Sequence, residues 1–206
     1  LFNITNETDH IVKIELVNGK KHNPLSLELI KELTNSLIQI SSQKKVKVLI
    51  ISSEGPGFSA GHDLDELRKN ENNKKFFNEL FNECSNLMQT IMNLPQPVIA
   101  EVCGIAAAAG CQLVASCDLA VASEQASFMT PGVNIGLFCS TPMVAVSRNL
   151  SRKKIMEMLL TGEKLSAKDA VDYGLINHCV PLDELHHKTL SIANIIASKP
   201  LSTVKI

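Results

Sequence analysis

The stretch most able to do chemistry offers backbone rather than side chains. From Gly104 to Asp118 the chain reads Gly-Ile-Ala-Ala-Ala-Ala-Gly-Cys-Gln-Leu-Val-Ala-Ser-Cys-Asp. Between Ile105 and Cys111 no side chain is both large and polar. Four alanines followed by Gly110 leave the main chain nearly bare, and Leu113-Val114-Ala115 continues as a helix-compatible apolar run. A bare helix start exposes N–H groups that have no intrahelical partner and attract negative charge. Such a start is suited to holding a developing oxyanion. The same composition also suits a helix packed closely at a crossing, so the rest of the chain has to decide.

Other reactive residues give less. Gly57-Phe-Ser-Ala-Gly61 satisfies G-x-S-x-G, the nucleophile elbow of serine hydrolases, with Ser59 as nucleophile and His178 or His186 as base. An elbow needs its serine directly between strand and helix, and here Glu54-Gly-Pro-Gly57 intervenes. The cysteines at 84, 103, 111, 117, 139 and 179 form no C-x-x-C pair and sit mostly in apolar runs. They read as reduced and buried, with Cys111 a small hydrophobe beside the bare stretch. His186-His187 reads as a solvated helical face, so no metal site is expected. Glu101 reads as a charge at a strand end. The 206 residues carry a net charge of −1, which gives no electrostatic reason to expect nucleic acid. No apolar run approaches a membrane span, so no insertion is expected.

Strands and helices alternate around this stretch. His10 to Val17 alternates as a strand, and Asn18-Gly19 signals a turn. Asn23-Pro24-Leu25-Ser26 opens a helix with apolar residues at 29, 30, 33, 37 and 38. Val46 to Ile51 is a strand buried on both faces. Residues 64–75, charged and rich in asparagine, read as a mobile surface segment. Phe76 to Leu94 is an amphipathic helix with Phe77, Leu80, Phe81, Cys84, Leu87, Met88 and Ile91 on one face, stopped by Pro95-Gln96-Pro97. Val98 to Val102 and Asp118 to Ser123 are strands. Beyond Pro142 the chain turns mostly helical: Ser151–Leu160, a short helix opened by a Ser166–Asp169 capping box and closed at Gly174, and residues 183–198. The alternation predicts an α/β fold.

Four stretches, in this order, resemble the signatures of the crotonase superfamily, the enoyl-CoA hydratase/isomerase family. They are Gly57-Phe-Ser-Ala-Gly-His-Asp-Leu64, Gly104 to Asp118, Phe128-Met-Thr-Pro-Gly-Val-Asn-Ile-Gly-Leu137, and Leu160 to Ile176. Each alone is weak; four in order over nearly the whole chain are specific. Gly136-Leu-Phe-Cys-Ser-Thr-Pro142 is most similar to the enoyl-CoA hydratase domain-containing subgroup. The resemblance implies ββα units wound into a right-handed spiral over residues 1–142, with the pocket for an acyl-CoA thioester. A helical region, 143–206, would lead into the trimerisation segment, cut short before the family's final helices. It implies a thioester carbonyl held between the N–H groups of Ala60 and Ala109, with Gly110 and the chain at His62, Asp63 and Leu64 meeting coenzyme A. No cofactor beyond the coenzyme A of the substrate is expected. A homotrimer or hexamer is implied, in the cytoplasm or, in a eukaryote, the mitochondrial matrix.

The chain departs from the family where a hydratase carries two glutamates around one water. Those positions are Gln112 and Gly132, and neither exchanges a proton near neutral pH. One positioned acid or base contributes typically about 10²–10⁴ in rate. Gln112 can still orient a water or the thioester. The expected activity is therefore enolate stabilisation on an acyl-CoA by an isomerase, a thioesterase or a slow hydratase. The alternatives are a non-catalytic acyl-CoA binder or scaffold and, less favoured, the Ser59 hydrolase.

Overall fold

Short apolar runs become strands buried on both faces, and the longer periodic runs become the helices that cover them. The computed structural model describes residues 1–204. The last two residues of the stretch expected to approach the family's final helices lie outside it. Strand β3 (Val48–Ser53) is buried over its first five residues. Leu49 and Ile51 enter the main core, whereas Val48 and Ile50 face a second core under helix α8 (Leu185–Ala197). The run predicted to be buried on both sides is buried on both sides.

Two sheets result. The larger has the order β1 (Phe2–Thr8), β2 (Ile11–Leu16), β3, β5 (Val98–Val102), β7 (Leu119–Ser123) and β10 (His178–Val180), parallel except for β1. The smaller is β4 (Gly57–Ser59), β6 (Ile105–Ala107), β8 (Ser127–Met129) and β9 (Leu165–Ser166), with β9 antiparallel. Successive segments place one strand in each sheet and then a helix. β3 and β4 precede α2 (Leu64–Lys69) and α3 (Lys74–Asn93), β5 and β6 precede α4 (Ala109–Ser116), and β7 and β8 lead to α5 (Ser140–Val146). This is the repeated ββα unit of an α/β fold.

Helix α1 (Leu27–Ser41) starts where the Ser26 hydroxyl accepts the Leu29 N–H at 3.2 Å. Its core stripe passes through Leu33 and Leu37 to Ile40, and Ile38, expected inside, is 53% exposed. Helix α3 buries Leu80, Cys84, Leu87, Met88 and Ile91. Phe77 and Phe81 lie at the rim of that stripe instead, stacked at 6.2 Å between ring centroids. The segment expected to be mobile begins as α2, because Asp63 caps it, accepting the N–H groups of Asp65 and Glu66 at 2.9 and 3.2 Å. Glu66 in turn accepts the Leu27 N–H at 3.0 Å, tying α2 to α1.

β1 escapes sequence reading because its side chains are mostly exposed and polar. Asn18-Gly19 leads into a single 3-10 turn. The C-terminal part holds α6 (Arg152–Thr161), α7 (Ala167–Asp172), α8 and α9 (Leu201–Val204), and it also supplies β9 and β10 to the two sheets. Strands of two and three residues leave no period to read. At the start of α7 the Ser166 hydroxyl accepts the Asp169 N–H at 3.1 Å and donates to its carboxylate at 2.6 Å.

The smaller sheet holds its strands by backbone contact. A Cβ on Gly110 would lie 2.3 Å from the Ser59 carbonyl oxygen, and one on Gly104 would lie 2.0 Å from that of Pro56. Gly110→Ala is therefore expected to destabilise the fold by at least about 1–3 kcal/mol, the cost of overpacking. Ile38→Ala on the exposed face should stay within about 0.5 kcal/mol. Urea denaturation of both variants checks the contrast; equal midpoints would show that the seam relaxes freely.

Candidate functional site

The site forms where the loops after β4 and β6 touch. Gly61, at φ +90°, packs so closely on the second loop that a Cβ there would meet the Ala107 carbonyl oxygen at 2.9 Å and the Ala109 nitrogen at 3.2 Å. Ala108, the residue before α4, is held at φ 49°, ψ −118°. This conformation is rare for an L side chain and costs about 1–3 kcal/mol. The Ala108 N–H donates to the Met129 carbonyl at 2.9 Å, and α4's first internal bond runs from Gln112 N–H to the Ala108 carbonyl at 3.0 Å. Ala109, the first residue of α4, has no backbone acceptor among the described residues. The bare helix start read from the sequence is an open donor end in the structure.

The first loop requires a correction. The Ala60 N–H donates to the His22 carbonyl at 2.8 Å, so it is not open. The Gly61 N–H is taken by the Ser59 hydroxyl at 3.2 Å. His62 forms a parallel bridge with Leu25, made by Leu25 N–H to the Gly61 carbonyl and Asp63 N–H to the Leu25 carbonyl. That pairing uses the residues flanking His62 and leaves its own N–H without a backbone acceptor among the described residues. Sequence reasoning missed the support behind this loop. Asn23, fully buried at φ 49°, donates to the carbonyls of Glu54 and Gly57 at 3.0 and 2.8 Å and accepts the Asn18 N–H at 2.8 Å. The only available signal was an asparagine, a residue tolerant of positive φ, before a proline.

The other predicted residues separate. The Asp63 carboxylate caps α2, and Leu64 is the half-exposed first residue of that helix. Gly110 is required by the Ser59 contact. Gln112 projects from α4 with 6% exposure. Gly132 sits in a 3-10 turn (Pro131–Ile135), its N–H donating to Cys139 Sγ at 3.3 Å. A Cβ at 132 would be 2.8 Å from both that sulfur and the Leu137 carbonyl oxygen. Burial pushes the Cys111 thiol up to about 12 and raises Cys139 as well, so neither is a thiolate near neutral pH. Glu101 points to the α8 side of its strand, where its carboxylate meets His186 Nδ1 at 3.1 Å; Glu7 meets Nε2 at 3.4 Å. His186 thus lies between two carboxylates while its side chain stays 45% exposed, on the solvated face read from the sequence. The serine elbow also fails: Ser59 is fully buried inside β4, and His178 and His186 belong to the larger sheet and the helix over its far side.

Three of the five buried side-chain atoms lacking a partner among the described residues belong to the loops around this site: His62 Nδ1, Gln112 Oε1 and Thr130 Oγ1. Buried polar groups are normally paired, so such a cluster marks a place completed by something else. Beside Gln112 a cavity of about 400 Å³ opens between α3, α4 and α5. On the other side the His62 ring meets Phe81 edge to face at 5.6 Å.

Burial holds the His62 imidazole below its ordinary value of 6.5, partly opposed by the nearby Leu25 backbone. A depressed histidine contributes stability above its unfolded pKa and loses it as pH falls through the folded one. Urea midpoints measured from about pH 7.5 down to about pH 5 should therefore fall more steeply for the wild type than for His62→Asn. His178, whose pKa is also lowered, is common to both proteins and cancels. Parallel curves would show that His62 is free to protonate.

The sequence matches the family model described as enoyl-CoA hydratase/isomerase over residues 6–206. It is 53% identical over 192 residues to human enoyl-CoA hydratase domain-containing protein 3, mitochondrial, covering 93% of this chain and 63% of that one. The chain thus spans less than two thirds of that relative's length. The crystal structure of the human protein superposes with a TM-score of 0.94 at 50% identity, covering 98% of this chain and 79% of the other. That of an enoyl-CoA hydratase from Mycobacterium smegmatis gives 0.96 at 41% identity, covering 100% and 79%. The repeated ββα architecture is accordingly the crotonase fold, and the chain belongs to the enoyl-CoA hydratase/isomerase family.

Proposed function

We propose that the chain binds an acyl-CoA thioester and stabilises its enolate through the N–H groups of His62 and Ala109. One observation carries the reading: two loops locked backbone to backbone present open donors beside unpaired buried polar atoms. A carbonyl oxygen placed there gains when it becomes an oxyanion, because donors fixed by packing need no reorganisation as charge develops. The α4 N-terminus adds its positive end.

The proton-transfer groups of a hydratase are missing from this arrangement. Gln112 and Gly132 stand at the two glutamate positions, and the acids of the first two matching stretches have other work. Asp63 caps a helix, and Asp118 accepts the Val98 N–H at 2.7 Å. The favoured activity is isomerisation, thioester hydrolysis or slow hydration on an acyl-CoA. The same lack of carboxylates favours a second reading, a non-catalytic acyl-CoA binder.

The chain is assigned to a homotrimer or its dimer, supported by the exposed apolar side chains Ile135, Leu137, Phe138, Val144 and Leu160 between the turn after β8 and α6. The vertebrate relatives are named as mitochondrial, which supports the matrix for this chain in a eukaryote.

Two measurements test these assignments. With a short trans-2-enoyl-CoA, loss of the conjugated thioester absorbance is expected at least about 100-fold slower than with a glutamate-bearing hydratase. A CoA ester should still raise the melting temperature. Whatever thioester is turned over, Ala109→Pro should lower its kcat by about 10²–10³. Proline is accepted at the first helical position and removes the donor, and an unchanged melting temperature of the variant separates that loss from strain at Gly61 and Ala108. Rapid hydration would show that another group activates water. Light scattering should return three or six copies; a monomer would remove the oligomer assignment.

A further inference from the structure

We propose that the cavity beyond Gln112 selects an acyl group ending in a second carboxylate, so that the ligand is a dicarboxylic acyl-CoA thioester. The inference rests on the acyl-CoA reading above and specifies its substrate class.

Helix α4 sets the direction. Ala109, Gln112 and Ser116 follow one another at spacings of three and four, which places them on one face. At 1.5 Å rise per residue, Gln112 lies about 4.5 Å and Ser116 about 10 Å along the axis from Ala109. Gln112 and Ser116 both line the 400 Å³ cavity. A chain anchored at Ala109 by its thioester therefore runs along this face into the cavity.

The lining fits an anion. No carboxylate lines the cavity, while Ser85, Gln112, Thr141 and Arg148 offer hydrogen-bond donors. Arg148 stands at the far end. The side chain of its neighbour Asn149 donates to the Ala115 and Ala145 carbonyls, both at 3.1 Å, and fixes the end of α5 against the last turn of α4. Among the described residues the Arg148 guanidinium has no ion-pair partner, and its one polar contact is Met92 Sδ at 3.5 Å. A planar fork of donors is made for a carboxylate.

The near end carries an independent sign. Gln112 is more than nine-tenths buried and its Oε1 has no partner. A glutamate there would place a negative charge beside any anionic chain. The neutral amide removes that repulsion and its NH2 can donate to the chain, whereas the unpaired Oε1 only accepts and takes a donor that enters with the ligand. Arg148 is itself exposed, so it contributes positive charge and fork geometry to the cavity rather than a buried group awaiting a partner.

The test is calorimetric titration of the full chain with butyryl-CoA, glutaryl-CoA and adipyl-CoA at one ionic strength. One of the two dicarboxylic esters is expected to bind at least about tenfold more tightly than butyryl-CoA. In Arg148→Gln the ratio should fall to near one, and Arg148→Lys, which keeps the charge but not the fork, should give an intermediate ratio. Gln112→Glu should lower the ratio by repulsion. Equal or tighter binding of butyryl-CoA, or a ratio unmoved in Arg148→Gln, overturns the carboxylate assignment and leaves the acyl-CoA reading standing. Failure of every CoA ester to bind removes that reading and this inference with it.

Discussion

The backbone contact between Gly110 and Ser59 decides what the rest of this molecule can do. With a separation that leaves no room for a Cβ, the end of β4 and the first turn of α4 are in direct backbone contact. The contact is van der Waals and steric, with no charge and no titratable group in it. It is therefore independent of pH, and it does not depend on any side chain that catalysis would require. Both loops follow short strands of the same sheet, β4 and β6, which pair in parallel. Strand pairing sets the distance between the loops coarsely, and the glycines close it.

Close packing also explains the strain at Ala108. A positive φ with an extended, negative ψ is unfavourable for alanine, and it persists because its neighbours leave no alternative. Its N–H is fixed on Met129, the next peptide opens α4, and Gly61 packs against both. The strained peptide turns the chain sharply from strand to helix and leaves the Ala109 N–H without a backbone acceptor among the described residues. Behind the first loop, Asn23 and the His22 carbonyl play the same part by hydrogen bonding. Donors held this way from both sides lose nothing to reorganisation when a charge appears.

What the sequence made legible follows from the length scale of each signal. Long periodic runs such as Leu80 to Ile91, and the doubly buried run at Val48–Ile51, declare themselves because many residues report the same environment. The bare stretch Ala106–Gly110 was legible as a donor end because its composition leaves only backbone. By contrast β9 and β10 are too short to show a period, and β1 is a polar edge. The identity of the first-loop donor was illegible for a sharper reason. Adjacent N–H groups point to different partners, and only the pairing of Ala60 with His22 and of Leu25 with Gly61 and Asp63 reveals which remains free. The bridge from His186 to Glu7 and Glu101 joins residues far apart in the chain and left no local trace.

The two positions where the family resemblance expects glutamates have unequal standing in this fold. At 112 the change is one of charge alone: the amide occupies a buried position on α4 that a carboxylate of nearly the same shape could fill. At 132 the change is one of space. Cys139 and the Leu137 carbonyl occupy the volume into which any side chain would project, and the Gly132 N–H is committed to the Cys139 sulfur. Restoring the second acid would require the turn from Pro131 to Ile135 to be rebuilt, together with the start of α5. The segment is therefore built around a glycine and a thiol, with no room for an acid at 132 as it stands. A site with intact donors and no anionic groups at the reacting carbons has a definite electrostatic character. In the proposed reading it favours negative charge at its two ends, the Ala109 donor and Arg148, and a pair of ionised glutamates between them would oppose both.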